Sequence, residues 1–136
     1  MGVRMNGNDF RMFYEEYCRQ KLATHLNVLQ SLITHSSKNN GNSPFDLEAF
    51  GKKYDVKTSN PTIEINKTLP VWVFDLRKSY KNKRIANQKK HCDYYILLGL
   101  YQAIPKGVFL LPYEKAPISR IRVSIFGETK YNQFKI

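Results

Sequence analysis

Hydrophobic and polar positions alternate most cleanly in Phe45-Asp46-Leu47-Glu48-Ala49 and again in Tyr54-Asp55-Val56-Lys57-Thr58. A period of two predicts two strands, each with one apolar and one polar face. Between them, Gly51-Lys52 predicts a two-residue hairpin turn with glycine in the first central position. Phe45, Leu47, Ala49, Tyr54, Val56 and Thr58 then share one face, and Asp46, Glu48, Asp55 and Lys57 share the other. A two-residue turn at Gly51-Lys52 sets Asp46 opposite Lys57 and Glu48 opposite Asp55. A four-residue turn sets Asp46 opposite Asp55 and leaves the facing unchanged, because the slip is by two. Like charges across a strand pair are destabilising. Three carboxylates and one lysine on a single face therefore raise the question of a bound cation.

Elsewhere the pattern is coarser. Phe10, Phe13, Tyr14, Tyr17, Cys18 and Leu22 recur at helical spacing, which predicts a helix of about four turns starting at Phe10. Asn8 or Asp9 is its expected cap, and His25-Leu26-Asn27 its expected end. Residues 28–33 suit either a first strand or a continuation of the helix, with strand favoured. Residues 36–43 form a polar loop rich in Ser, Lys, Asn and Gly. A short alternating run follows at Ile63-Glu64-Ile65, and strands are expected at 71–74, 94–100, 108–111 and 122–125. The run 94–100 is continuously apolar and reads as a central strand covered on both faces. One helix, a hairpin and further strands predict a single α+β (mixed α/β) domain over residues 1–136, built on one central mixed sheet.

Charge changes the picture. Twenty-two Lys and Arg against eleven Asp and Glu leave a net charge of +11 and a pI near 9.7. Such a balance implies a polyanionic partner. Seven of the basic residues, Arg77, Lys78, Lys81, Lys83, Arg84, Lys89 and Lys90, fall within residues 77–90, which hold no acid. That run suits either the solvated face of a short helix or contact with phosphates, and the net charge favours phosphates. The longest mostly apolar run, 94–104, is too short to span a bilayer. The first nine residues lack the apolar core of a signal peptide, so an intracellular rather than secreted protein is expected. Cys18 and Cys92 show no CxxC spacing. A zinc site from Cys18, His25, His35, His91 and Cys92 is disfavoured, because His91 and Cys92 are neighbours that point apart in a strand, and reduced thiols are expected instead.

Metal-assisted phosphodiester hydrolysis needs two or more carboxylates to hold a hard cation such as Mg²⁺, which prefers oxygen ligands. The cation polarises the phosphate and lowers the pKa of a bound water, and a nearby lysine can orient or deprotonate that water. Asp46, Asp55 and Lys57 supply these groups. Val56 points its side chain to the core, yet its carbonyl remains available as a ligand.

Pro44-Phe45-Asp46 followed across a hairpin by Asp55-Val56-Lys57 resembles the motif of the PD-(D/E)XK, or restriction-endonuclease-like, nuclease superfamily. The order of helix, polar loop, acidic hairpin, basic segment and apolar strand is similar to that superfamily's core over roughly residues 9–112. The departures are an extra residue between Pro44 and Asp46 and an aspartate, not glutamate, at Asp55. The resemblance implies a central mixed β-sheet flanked by helices, with the motif on the second and third strands. It implies a Mg²⁺-dependent DNA endonuclease, with Mn²⁺ as a substitute cation. Asp46, Asp55 and the Val56 carbonyl would be the metal ligands, Lys57 the water-handling residue, and Glu15 (with Glu16 as the alternative) the further acid from the first helix. Glu48 is expected as a neighbour only. Small homing endonucleases and archaeal Holliday-junction resolvases share this layout, with the homing type favoured here. Cutting both strands of a duplex further implies a homo-oligomer, at least a dimer.

The competing reading from another class is a nucleic-acid-binding protein in which Asp55 and Lys57 are a solvated surface pair contributing at most about 1 kcal/mol. Chance occurrence of the tripeptide is real: Glu128-Thr129-Lys130 repeats the acid-x-lysine pattern and Asp75-Leu76-Arg77 nearly does. Neither has the hairpin or the upstream Pro-x-Asp.

Overall fold

The computed structural model describes residues 7–36, 45–80, 83–85 and 90–136. Helix α1 (Gly7–Leu26) is followed by β1 (Thr34–His35), β2 (Leu47–Ala49), β3 (Lys52–Ser59), β4 (Pro61–Thr62) and β5 (Val71–Asp75). Then come β6 (Lys78–Tyr80), β7 (Lys83–Ile85), β8 (Tyr94–Tyr101), β9 (Ile104–Pro112) and β10 (Arg120–Ser124). Five strands form the central mixed sheet in the order β1-β2-β3-β8-β9. All its pairs are antiparallel except β3 with β8, which run parallel from Tyr54↔Tyr94 to Ser59↔Gly99. A second sheet, β10-β5-β4, and a two-stranded ribbon, β6-β7, are built from the crossover between β3 and β8 and from the strand after β9.

Parallel pairing makes β8 the spine, and its residues are buried from Tyr95 to Leu100. Its alternate side chains feed two cores. Ile96, Leu98 and Leu100 join Tyr54, Leu47, Cys18 and Leu22 beneath α1. Tyr95 and Leu97 join Trp72, Phe74, Phe109, Leu111, Ile121 and Val123 against the second sheet. So the sheet is covered by a helix on one face and by strands on the other, where flanking helices were expected. The continuous apolar run at 94–100 needed both covers to be dry. Trp72 lies against the backbone of Gly99, and its Nε1–H donates to the Leu100 carbonyl at 2.8 Å.

Several local expectations are corrected. The helix starts at Gly7, three residues before the expected start at Phe10, so Asn8 and Asp9 lie within it rather than capping it. It ends as expected, with Asn27 in the left-handed conformation at φ 56°. Residues 28–33 are not a strand: Gln30–Leu32 is a 3-10 turn, and only Thr34–His35 pairs with the sheet. Arg19 explains this, because its Nε and Nη2 donate to the Ile33 and Gln30 carbonyls at 2.7 Å each, satisfying groups that a strand would have to pair. Ile63-Glu64-Ile65 lies outside the strands, with both isoleucines exposed.

The hairpin turn falls one residue earlier than expected, on Phe50-Gly51. Both residues have positive φ, 52° and 76°, as a two-residue turn compatible with strand twist requires. Its register pairs Leu47 with Tyr54, Glu48 with Lys53 and Ala49 with Lys52. Extended by one residue, it sets Asp46 against Asp55, the arrangement the longer turn was expected to give. The facing of the strands is unchanged.

The two cysteines lie in different cores, Cys18 beneath α1 and Cys92 on the opposite face of the sheet. A zinc site joining them is thereby ruled out. Burial, with nearby carboxylates adding to it, pushes both thiols up to about 12. Neither is expected to react with a thiol-specific reagent at pH 8 in the folded protein, and stoichiometric labelling without denaturant would contradict this burial.

Candidate active site

The β2–β3 pairing ends at Leu47↔Tyr54, and among the described residues no strand pairs with that edge of β3 beyond it. Asp46 sits at that point. Its backbone N–H still donates to the Tyr54 carbonyl at 2.9 Å, and its own carbonyl accepts from Ser36 at 2.8 Å. One residue further along β3, its side chain replaces the missing strand: Oδ2 accepts the Val56 backbone N–H at 2.7 Å. A strand residue's N–H and C=O point to the same side, so the Val56 carbonyl also faces this open edge. The Val56 side chain packs beneath α1.

Asp55 points to the other face of the sheet and is 7% exposed. Its Oδ2 lies 2.9 Å from His91 Nε2 and 3.4 Å from Lys57 Nζ. A hydrogen bond joins it to the Asp46 carboxyl. The solvated surface pair is thus excluded for Asp55: the carboxylate is inside, and it is paired.

Two carboxyls this close do not both ionise freely. Burial first, then the hydrogen bond and charge of Asp55, raise Asp46 from 3.8 to about 7, against the opposing pull of the Val56 N–H. Burial would raise Asp55 as well, but the His91 hydrogen bond, the Lys57 charge and the bond to Asp46 outweigh it and hold Asp55 below its ordinary value. Near neutrality the pair shares one proton, carried by Asp46.

That proton has a measurable consequence. A carboxyl raised in the folded state gives stability that is full below about 3.8 and lost as pH rises through about 7. Asp55, lowered, has the opposite sign: its contribution is present above 3.8 and lost only in acid. Without divalent cations, the melting temperature is expected to fall as pH rises from about 3.8 to about 7 and to level off above that by this mechanism. Asp46→Asn should flatten that slope in a thermal melt series, and an unchanged slope would contradict the shared proton.

A groove of about 450 Å³ opens over Asp46, lined also by Phe10, Arg11, Tyr14 and Glu15 from α1, by Val56, Lys57 and Thr58 from β3, and by Asp75 from β5. Asp55 is not part of this lining. Arg11 reaches Asp46 Oδ1 at 3.6 Å from an exposed position. Glu15 shares the groove and adds to the negative field on Asp46, but its Oε1 is bonded to His35 Nδ1 at 2.7 Å. Glu16 turns to His35 Nε2 at 3.2 Å and Arg19 at 2.9 Å, and does not line the groove. Glu48 is paired with Lys53 across the hairpin and does not line the groove.

As a metal centre the donor set is two carboxylates and one carbonyl. Among the described residues no three His, Cys, Asp or Glu side chains gather closely enough to hold an ion, and Glu15 is engaged by His35. Two carboxylates still suit Mg²⁺, which keeps several waters and completes its shell with substrate phosphate. A buried pair sharing a proton, with Arg11 and Lys57 placed against it, is also a pair lacking enough positive charge. The donor chemistry therefore fits a hard divalent cation.

The described elements of the basic segment are strands rather than a helix face. They are β6 and β7, paired antiparallel with Lys78 opposite Ile85 and Tyr80 opposite Lys83, so Lys78, Lys83 and Arg84 lie on a two-stranded ribbon. Arg77 is bound by both oxygens of Asp75, and Lys90 pairs with Glu114 at 3.0 Å and Asp93 at 3.6 Å. Lys81, Lys89 and Pro44 lie outside the described residues. The near-miss motifs are structural: Asp75 binds its own neighbour Arg77, and Thr129 caps the turn Lys130–Phe134 by accepting the Tyr131 N–H.

Three participants at the site were not picked out from the sequence: Arg11, Asp75 and His91. Asp75 was visible only as a tripeptide. His91 enters the sequence pattern only as a disfavoured zinc ligand, because nothing in the sequence places it beside Asp55, thirty-six residues away.

No protein-family model matches this sequence, and no curated protein matches it. Solved structures do resemble the fold. "The structure of a bacterial homing endonuclease: I-Ssp6803I" superposes with a TM-score of 0.55 at 13% identity, covering 89% of this chain and 85% of that one. "Crystal Structure of MepB" gives a TM-score of 0.45 at 12% identity over 84% of each chain. The first shows that the chain shares the homing endonuclease's fold. Among the described residues no helix is long and apolar enough to cross a membrane.

Proposed function

We propose that this protein is a Mg²⁺-dependent DNA endonuclease of the site-specific, homing type, with Mn²⁺ as a substitute cation. The observation that carries the reading is the placement of two carboxylates on adjacent segments: half-buried Asp46, whose Oδ2 accepts the Val56 N–H at 2.7 Å, and buried Asp55, whose Oδ2 lies 2.9 Å from His91 Nε2 and 3.4 Å from Lys57 Nζ. It gains support from a fold shared with a bacterial homing endonuclease and from the net charge of +11.

Asp46, Asp55 and the Val56 carbonyl would hold the cation, with Glu15 completing the site after exchange of its His35 bond. Bound there, Mg²⁺ supplies Lewis-acid activation of the scissile phosphate and a water of lowered pKa. The chain's own residues do the rest. Asp46 gives up its proton on loading, so apparent metal affinity should rise about tenfold per pH unit below 7 and level off above it. Lys57, one-third exposed and held near Asp55, orients the attacking water and places positive charge where the phosphate gains negative charge. Arg11, released from Asp46, is placed to meet a backbone phosphate over the groove.

DNA would be held through Arg77, Lys78, Lys81, Lys83, Arg84, Lys89 and Lys90. A two-stranded ribbon such as β6–β7 has the dimensions to enter a major groove. Arg77 and Lys90 would exchange carboxylate partners for phosphates, a small cost at exposed positions. Binding should weaken steeply with salt. Cleavage of both strands calls for at least two copies.

The test is cleavage of supercoiled plasmid bearing candidate sites, and of a four-way junction, by wild type, Asp55→Ala and Lys57→Ala, with Mg²⁺ or EDTA. Mg²⁺-dependent cutting lost in both variants is expected. Cutting that survives both substitutions would reject the site, binding without cutting would identify a binding module, and junction-selective symmetric nicking would identify a resolvase.

A further inference from the structure

His91 stands apart from the rest of the site because nothing in the chemistry derived so far uses it. It lies in the segment entering β8, and that segment is fixed to β3 independently. The Asp93 N–H donates to the Lys53 carbonyl at 2.8 Å, and Asp93 Oδ2 accepts the Lys53 N–H at 2.8 Å. The ring is held edge-on to Tyr95 and to Tyr113, centroids 5.7 and 6.1 Å away, and those two tyrosines stack on each other. Its side chain is 13% exposed, and Nε2 meets Asp55 Oδ2 at 2.9 Å. An ionised carboxylate only accepts, so Nε2 carries the hydrogen.

We propose that His91 is a positioning residue for metal binding: its rigid Nε2–H fixes one oxygen of Asp55 and so sets the carboxylate plane in which the cation is received. This rests on the metal-site reading above and extends it to a residue outside the motif. Lys57 approaches the same oxygen at 3.4 Å, but an ammonium on a flexible stem fixes no plane. The imidazole does, because two aromatic rings and the Asp93–Lys53 bonds hold it. Without it, Asp55 turns freely between Lys57 and Asp46, and the orientation must be paid for at each binding event.

The experiment is titration of Mn²⁺ into wild type, His91→Phe, His91→Gln and Asp55→Asn at pH 8, followed by calorimetry, without DNA. Phenylalanine keeps the ring packing and removes the donor; glutamine keeps a donor. His91→Phe is expected to bind Mn²⁺ about ten- to a hundredfold more weakly, with glutamine recovering most of the loss. Phe binding as tightly as wild type while Asp55→Asn binds nothing would overturn the role of His91 and leave the metal site standing. Wild type binding no Mn²⁺ would overturn both. A second measurement needs no variant. In two-bond ¹H–¹⁵N spectra, the His91 ring nitrogens of wild type should report the Nε2–H tautomer and move on Mg²⁺ addition. Resonances unmoved at saturating Mg²⁺ would overturn the proposal even if His91→Phe failed to fold.

Discussion

Asp55→Asn is expected to lower DNA cleavage by about three orders of magnitude or more while leaving the protein folded. The amide keeps the shape of the carboxylate and one oxygen to accept from His91, so the packing around a position 7% exposed is preserved. What goes is the charge. Metal-assisted stabilisation of a transferring phosphate is worth several kcal/mol, and each ~1.4 kcal/mol is a factor of ten in rate. Removing the only ionised member of the pair also changes its partner: Asp46 no longer faces a carboxylate and should titrate closer to its ordinary value. A melting temperature near wild type together with residual cleavage above about one per cent of wild type would mean that Asp55 does not hold the cation.

Gly99→Ala is expected to destabilise the fold by about 3 kcal/mol or more, at a position remote from charge chemistry. A Cβ at Gly99 would come within 2.3 Å of Trp72 Cδ2 and Cε2, far inside van der Waals contact at ~3.5 Å. The indole has nowhere to go. Its Nε1–H is bound to the Leu100 carbonyl at 2.8 Å, and its other side meets Phe109 edge-on at 6.1 Å. Moving the ring would separate the second sheet from β8 and break a buried hydrogen bond. Urea unfolding of Gly99→Ala, Trp72→Leu and the double variant makes the contact explicit, since the double variant should lose much less than the sum of the singles. Additive losses, or a Gly99→Ala cost under about 1 kcal/mol, would show that the two sheets pack less tightly than the structure has them.

The hairpin was legible because alternation is the strongest local signal a strand carries. The facing of Asp55 and Lys57 followed from it and survived a turn placed one residue off, since the register moved by two. The turn itself was not legible: Phe50 takes a left-handed conformation that few phenylalanines adopt, and the sequence offered Gly51 in the wrong role. Helix α1 was legible by its stripe, and Asn27 by its tolerance of positive φ. The 3-10 turn at Gln30–Leu32 was not, because what decides it is Arg19 reaching across from the helix. The same limit hid His91 and Arg11. Both arrive at the acid pair through tertiary packing, one by the parallel pairing of β3 with β8 and the other from the first turns of α1. The basic ribbon was visible as charge but not as shape, since residues 77–90 carry too few apolar side chains to show a period.

The proposed function depends on the Asp46–Asp55 pair receiving a divalent cation. Crystals grown above pH 7 and soaked in Mn²⁺ should show an anomalous peak within about 2.2 Å of an oxygen of Asp46, an oxygen of Asp55 and the Val56 carbonyl, with Arg11 moved off Asp46. A map with no peak there at saturating Mn²⁺, and the two carboxyls still hydrogen-bonded to each other, would contradict it.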